Sequence, residues 1–175
     1  MTRTNRPVQN LVVAALILPF FTGNIPQIGS MLLPMHLPTL LCGFLCGGPW
    51  GAAVGFLAPL MRSAILGMPP PFPTAVAMAV EMAVYGLVSG LFYARRPKNL
   101  GGIYTALISA MAAGRLAWGA VMVILTMGSG NAFTLAAFWA GAVANAIPGI
   151  ILQLAAVPAL VMAVQHVRQP VPQEG

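Results

Sequence analysis

The sequence contains very few charged residues, and acidic residues are the scarcest among them. Its 175 residues include two Asp or Glu against eight Lys or Arg, and charged residues make up 6% of the chain. Because soluble domains carry about 25% charged residues, this composition excludes an ordinary soluble domain. Hydrophobic residues make up 59% of the chain. The sequence therefore predicts a single integral membrane domain.

Residues that carry catalysis or bind metals are equally scarce. The two cysteines, Cys42 and Cys46, lie four positions apart on one apolar segment, a poor arrangement for a disulfide within a helix, and no cluster supplies further metal ligands. The sequence contains no Walker A glycine loop and no Ser-His-Asp arrangement. We expect no enzymatic activity, no ATPase site, no metal and no cofactor.

Apolar segments recur along the chain, separated by Gly, Pro and basic residues. The second segment is shorter than the about 20 residues that cross a bilayer, so the second and third could form one long tilted helix. With six separate spans, however, the basic residues of both tails and of the loop ARRPKN lie on one side, as the positive-inside rule requires. The predicted helices are 8–22, 36–48, 50–66, 73–94, 102–127 and 132–166.

These segments predict an all-α membrane protein, a six-transmembrane-helix bundle with both termini cytoplasmic. The bundle covers about 8–167, and 1–7 and 168–175 form the tails. A basic balance can indicate nucleic acid binding. Here the basic residues of the tails and the loop have the placement that sets membrane orientation, so we expect no nucleic acid partner.

Small residues recur at the four-residue spacing that allows helix backbones to approach closely. The spacing joins Gly43, Gly47, Gly51 and Gly55, and it recurs later in the chain. Such surfaces pack transmembrane helices together. They predict either packing within the bundle or a docking face for another membrane protein, for which Gly43 and Gly47 are the candidates.

Two loops on the side opposite the basic residues are rich in Pro and Gly. They read TGNIPQIGSMLLP and LGMPPPFP. This composition predicts irregular, non-helical segments. They form either a lid over a site or simple connections between helices.

One acidic residue, Glu81, lies in the middle of an apolar span. A bare charge at the bilayer centre costs at least about 2.5 to 3.5 kcal/mol, so Glu81 must be paired, protonated or facing water. Arg115 lies at a comparable depth in the next span, whereas Arg62 lies toward the outer end of its own span. If Glu81 pairs with Arg115, Arg62 is left to bind an anionic ligand. Alternatively, the pair is structural and Arg62 extends to the outer headgroups.

Other polar residues lie within the same predicted spans. Each alone is typical of a hydrogen bond between helices, but together they predict a pocket open to the outside. The candidate substrate-binding residues, in addition to the three charged ones, are Tyr85, Trp118, Asn145, Gln153 and His36.

Three runs of the sequence resemble a known family. They are MHLPTLLCGFLCGGPWGAAVGFLAPLMRSAILGMPPPFPTAVAMAVEMAVYGLVSGLFY, then AAGRLAWG, then FWAGAVANAIPGIILQ. Across about residues 10–165 the chain resembles the substrate-binding S component of an energy-coupling factor (ECF) vitamin transporter. The resemblance implies a multi-pass protein of a prokaryotic plasma membrane that captures a vitamin under the first and third loops.

The resemblance also implies protein partners, namely a membrane coupling protein (the T component) and two cytoplasmic ATPases. Family members often carry an Ala-x-x-x-Ala contact on the first helix. Here Ala14 and Ala15 are present, but position 18 is Leu18, so the sequence departs from that pattern.

The charge count favours a substrate with one negative charge, and pantothenate fits best among such vitamins. An alternative is pyridoxine, a pyrimidine or another aromatic vitamin stacked on Trp118 and Tyr85. Two alternatives belong to other classes: a small proton-coupled membrane transporter that uses Glu81, and a structural membrane subunit that transports nothing.

Overall fold

The computed structural model describes residues 35–127, 134–142 and 146–168, and the regular elements in these ranges are all helical. The α-helices follow one another along the chain and pack side by side. They are α1 His36–Cys46, α2 Gly48–Leu66, α3 Val76–Ala94, α4 Leu100–Thr126, α5 Leu135–Ala142 and α6 Ile147–Arg168.

Helices α1 and α2 are separate and fold back on each other at Gly47. Gly47 has φ = 97°, a left-handed conformation that glycine adopts without steric cost. A Cβ built on Gly51 would lie 2.7 Å from the Cα of Gly43, whereas one continuous helix would separate these residues by about 12 Å. The prediction of two helices is confirmed, and the alternative of one fused helix is wrong.

Helix α3 is preceded by a single wide turn, Pro71–Ala75, in which Phe72 has extended backbone angles. The amide of Ala75 donates to the carbonyl of Pro70 at 2.9 Å. The proline-rich segment LGMPPPFP therefore ends in one turn of helical hydrogen bonding, where the sequence predicts none. A proline has no amide hydrogen to donate, and the donor of this backbone bond, Ala75, lies two residues after the last proline.

Helix α4 begins where Asn99 accepts a hydrogen bond from the Gly102 amide at 2.9 Å, an N-cap that stabilises the helix start. In the short link before it, Lys98 Nζ donates to the Tyr93 carbonyl at 2.8 Å and lies 3.8 Å from the centre of that ring. These contacts fix the connection between α3 and α4, so the two helices run antiparallel.

The last predicted span corresponds to two described helices. The sequence predicts one helix over 132–166, whereas the structure has α5 and α6 in this range, with residues 143–145 outside the described part. The predicted first helix, 8–22, and the first outer loop also lie outside the described residues, as do the tail residues 1–7 and 169–175.

Three described helical segments have the length and hydropathy needed to cross a membrane: Pro71–Ala94, Leu100–Thr126 and Ile147–Gln165. The 11-residue helix α1 is apolar but shorter. These segments agree with a membrane protein. The count of six spans and the cytoplasmic position of both termini stay predictions.

Helices α1, α2 and α3 meet along a seam of glycines. A Cβ on Gly43 would lie 2.5 Å from the Gly86 carbonyl oxygen, and one on Gly86 would lie 2.2 Å from the Gly51 carbonyl carbon. Gly43 is buried in this contact, so packing within the chain accounts for its place in the pattern, and partner docking at Gly43 stays a prediction. Among the described residues, no atom beyond its immediate chain neighbours lies within 4 Å of a Cβ built on Gly47, so partner docking at Gly47 stays a prediction as well.

The Gly86→Ala change is expected to destabilise the bundle, because its methyl group would meet backbone rather than a movable side chain. Overpacking of this kind typically costs about 1 to 3 kcal/mol. The matched control is Gly101→Ala, where the nearest heavy atom is 3.6 Å from the new Cβ. Thermal unfolding in detergent should show a lower midpoint for Gly86→Ala alone. Equal midpoints for the two variants would mean that the seam is looser than described.

Candidate functional site

The candidate site is centred on Glu81, halfway along the Pro71–Ala94 segment. Its side chain is 3% exposed, and its Oε1 lies 2.9 Å from Nη1 of Arg115. Because α3 and α4 are antiparallel and joined by a short link, residues 13 and 15 positions from that link reach the same depth. The contact between Glu81 and Arg115 that the sequence predicts is present.

The arginine of this pair keeps unused hydrogen-bonding capacity. Nε and Nη2 of Arg115 are buried and have no hydrogen-bond partner within the described part of the chain. A guanidinium carries five N–H donors and no acceptor. Arg115 can therefore balance the charge of Glu81 and still donate to another group.

His36 and Tyr85 lie beside the ion pair. Nε2 of His36 is 3.7 Å from Oε1 of Glu81, and the imidazole meets the Tyr85 ring edge-on, with 5.0 Å between centroids. Both side chains are buried. Over the described ranges, the two imidazole nitrogens and the Tyr85 hydroxyl have no hydrogen-bond partner.

Gly114, next to Arg115, makes room for the Tyr85 ring. A Cβ on Gly114 would lie 2.4 Å from Cδ2 of Tyr85, so a larger residue would displace the ring. Gly114 is not among the site residues that the sequence predicts. Its position directly before Arg115 was the available signal.

Arg62 on α2 reaches the site through Met35. Its Nη1 donates to Sδ of Met35 at 3.3 Å, and Met35 packs with Met82, the neighbour of Glu81. A thioether is a weak acceptor. No carboxylate of the described residues lies within ion-pair distance of Arg62, and its buried Nε has no hydrogen-bond partner there. Sequence reasoning missed Met35, for which the adjacent His36 was the nearest signal.

Gln153 on α6 is fully buried. Residues three and four positions along the helix from it, Ile150 and Val157, contact the cluster that contains Tyr85. Because residues at these spacings share one helix face, Gln153 faces the bundle interior. The other predicted amide, Asn145, lies outside the described residues.

Trp118 is turned toward α5. Its ring centroid is 6.2 Å from that of Phe138, and a Cβ on Gly141 would lie 2.7 Å from its Cη2. The structure thus gathers Glu81, Arg115, His36 and Tyr85 into one cluster. It brings Arg62 to the edge of that cluster through Met35, and it places Trp118 against the neighbouring helix.

The cluster is rich in hydrogen-bond donors and carries one carboxylate among its described members. Guanidinium, imidazole, hydroxyl and amide groups suit a ligand that presents carboxylate, carbonyl and hydroxyl oxygens. The described residues contain no group of three or more His, Cys, Asp or Glu that could hold a metal ion. The arrangement can bind a small polar molecule and has no nucleophile paired with a base.

Comparison with known proteins supports the same view of the chain. Curated proteins and solved structures give no match. The family model described as the ECF transporter substrate-specific component matches residues 11–161, which is most of the 175-residue chain. The apolar helices and the buried polar cluster agree with that match, and the chain therefore belongs to the substrate-specific components of ECF transporters.

Proposed function

We propose that this substrate-specific component captures a small vitamin-like anion at its outer face and binds the carboxylate of that anion through Arg62. The observation that carries the proposal is the charge distribution. Glu81 is paired with Arg115 at 2.9 Å, and Arg62 donates only to a thioether among the described residues. One positive charge is thus left for a ligand, and a guanidinium binds a carboxylate with two parallel hydrogen bonds.

The position of Arg62 agrees with capture from outside in the predicted topology. The next residue, Ser63, donates from Oγ to the carbonyl of Pro69 at 2.7 Å, so this end of α2 is tied to the proline-rich outer loop. Glu81 and Tyr85 lie deeper along α3. A ligand held by Arg62 would extend inward toward the buried polar groups.

Among the vitamins considered, pantothenate matches the cluster best. It has a carboxylate for Arg62 and carries hydroxyl and amide groups for the buried donors and acceptors. A pyridoxine-like or pyrimidine ligand would need an aromatic face. The Tyr85 ring is in contact with His36 and Gly114, and the Trp118 ring with Phe138 and Gly141, which disfavours stacking on either.

Family membership implies that the chain is a non-catalytic transport subunit that binds a small molecule and works with a membrane coupling protein and ATPases. In this proposal those partners supply the energy for release inward. The predicted contacts at Ala14 and Ala15 lie outside the described residues, and docking at these positions is part of the proposal.

A proton-coupled transporter that uses Glu81 is the second candidate. In the structure Glu81 is paired with Arg115 at 2.9 Å, so it is not the lone buried carboxylate that such a transporter would use. A structural subunit would not need the buried nitrogens of Arg115 and His36 that have no hydrogen-bond partner among the described residues.

Two measurements separate these functions. Isothermal titration of the purified chain with pantothenate is expected to show tight binding without ATP. Proteoliposomes that contain the chain alone should transport nothing under a pH gradient, and uptake should require the coupling protein and the ATPases. Transport driven by the pH gradient alone would contradict the proposal, and so would the absence of pantothenate binding.

The proposed topology predicts which residues are labelled from outside the cell. In a background without Cys42 and Cys46, Gln27→Cys is expected to react with an impermeant maleimide, because Gln27 is predicted to be outside, and Lys98→Cys is expected to react only after permeabilisation. Labelling of intact cells, with permeabilised cells as the control, makes the comparison. Reaction at Lys98→Cys but not at Gln27→Cys in intact cells would reverse the topology.

A further inference from the structure

The side chain of Gln153 is fully buried, and it has no polar partner within the described ranges. Both its Oε1 and its Nε2 are without a hydrogen bond there. Leaving a buried polar group unpaired is unfavourable, and a buried amide in a helix bundle is normally hydrogen-bonded to a neighbouring helix. A buried amide with both ends unpaired among the described residues can take its hydrogen bonds from a bound molecule.

The depth of Gln153 follows from a contact near the other end of the same helices. Nε2 of Gln165 on α6 is hydrogen-bonded to the Tyr93 hydroxyl on α3. From this contact, Gln153 lies twelve residues back along α6 and Glu81 lies twelve residues back along α3. At 1.5 Å per residue both are about 18 Å away, so Gln153 is level with Glu81.

Other residues of these helices agree with this alignment. Val157 lies eight residues before Gln165, Tyr85 lies eight residues before Tyr93, and the two belong to one hydrophobic cluster. Helix α1 keeps the same register relative to α3. His36 contacts Tyr85, and eight residues later along α1, Phe44 contacts Tyr93 with 5.0 Å between the ring centroids. The amide of Gln153 therefore belongs to the layer that contains the ion pair.

A carboxamide presents one acceptor and one donor side by side. The complementary ligand group has a donor and an acceptor next to each other, as a hydroxyl beside a carbonyl does. An α-hydroxy amide has this arrangement: its hydroxyl can donate to Oε1 of Gln153, and its carbonyl can accept from Nε2.

We infer that Gln153 is the specificity-determining residue for the inner end of the substrate and binds an α-hydroxy amide. The inference rests on the proposed function, in which Arg62 binds the carboxylate at the outer end. The substrate then spans the site with its charged end near the proline-rich loop and its hydroxy amide at the level of Glu81. The Glu81–Arg115 pair leaves no net charge at this level, which suits a neutral group.

A double cycle between protein and ligand tests this role. The probes are pantothenate and its 2-deoxy analogue, which lacks the α-hydroxyl, and each is titrated into the wild-type chain and into Gln153→Met. Methionine keeps the length of the side chain and removes the amide. We expect about a tenfold loss of affinity for either single change, with little further loss when both are combined. Independent losses that multiply would overturn the inference.

A matched variant on the same helix separates binding from folding. Gln165→Met removes an amide that is hydrogen-bonded to Tyr93, so it should lower the thermal midpoint of the ligand-free chain and preserve the preference for the α-hydroxyl. Gln153→Met should leave that midpoint unchanged or raise it. A lower midpoint for ligand-free Gln153→Met would show that the amide is structural and would overturn the assignment whichever ligand binds.

The same experiments distinguish a failure of the proposed function from a failure of the inference about Gln153. If the wild-type chain does not bind pantothenate, the proposal that Arg62 binds its carboxylate is contradicted. The thermal unfolding midpoints of the ligand-free variants then decide by themselves whether the Gln153 amide is unpaired. If pantothenate binds but the preference for the α-hydroxyl is the same in Gln153→Met, the proposed function stands and the role of Gln153 is wrong.

Discussion

Arg62→Gln is expected to weaken pantothenate binding by roughly 10- to 100-fold, the equivalent of losing one charge-assisted hydrogen bond. Glutamine can still donate to Met35, but it carries no charge and cannot make the two parallel bonds of a guanidinium. Arg62→Lys should fall between glutamine and wild type, because it keeps the charge without the planar geometry. Isothermal titration in detergent measures all three affinities.

The control is Arg96→Gln, which removes an exposed arginine two residues after the end of α3. It should bind pantothenate as the wild-type chain does. If Arg62→Gln binds as tightly as Arg96→Gln, Arg62 makes no contact with the ligand. Arg62 would then be an arginine that extends to the outer headgroups, the alternative that the sequence left open.

The second large effect is expected at the buried ion pair. Glu81→Gln and Arg115→Met should each lower the unfolding free energy by about 3 to 5 kcal/mol, because each leaves a buried charge without its partner. The double variant leaves neither charge, so its loss should be smaller than the sum of the two single losses. Denaturant unfolding in mixed micelles measures the four species of the cycle.

Lys98→Met provides the control for additivity. Lys98 contacts Tyr93 near the opposite end of α3 from the ion pair, and distant sites usually add within about 0.5 kcal/mol. Glu81→Gln combined with Lys98→Met should therefore be additive. Additive losses in the Glu81 and Arg115 cycle as well would contradict a direct contact between the two charges.

The sequence predicted the ion pair because few partners were available. The charge of Glu81 in the middle of a span must be neutralised, and the chain has few charged residues that could do so. The rise per residue of the two helices places Arg115 at the depth of Glu81. The separation of α1 from α2 was also predictable, since charge sidedness required it and a glycine stood at the junction. Each expectation depends on one dominant physical effect: the cost of burying a charge for the ion pair, and backbone geometry for the separation of the two helices.

Other features depend on packing and could not be predicted from spacing. Trp118 lies three residues after Arg115, so the sequence placed it on the charged face. In the structure its ring contacts Phe138 and Gly141, because the space beside Arg115 is filled by the Tyr85 ring against Gly114. The contact between Arg62 and Met35 likewise joins residues 27 positions apart, and no local pattern indicates it. The face that a helix turns to its neighbours depends on how the side chains pack together. The helical period of 3.6 residues contains no information about that packing.

The most direct test is native mass spectrometry of the chain purified alone from cells grown with pantothenate. We expect one bound small molecule with the mass of a vitamin-sized carboxylate, present on the wild-type chain and on Arg96→Gln and lost from Arg62→Gln. A neutral aromatic vitamin bound equally to all three would contradict the assignment of Arg62 as the anion-binding residue, and a chain that carries and accepts no small molecule would contradict capture itself.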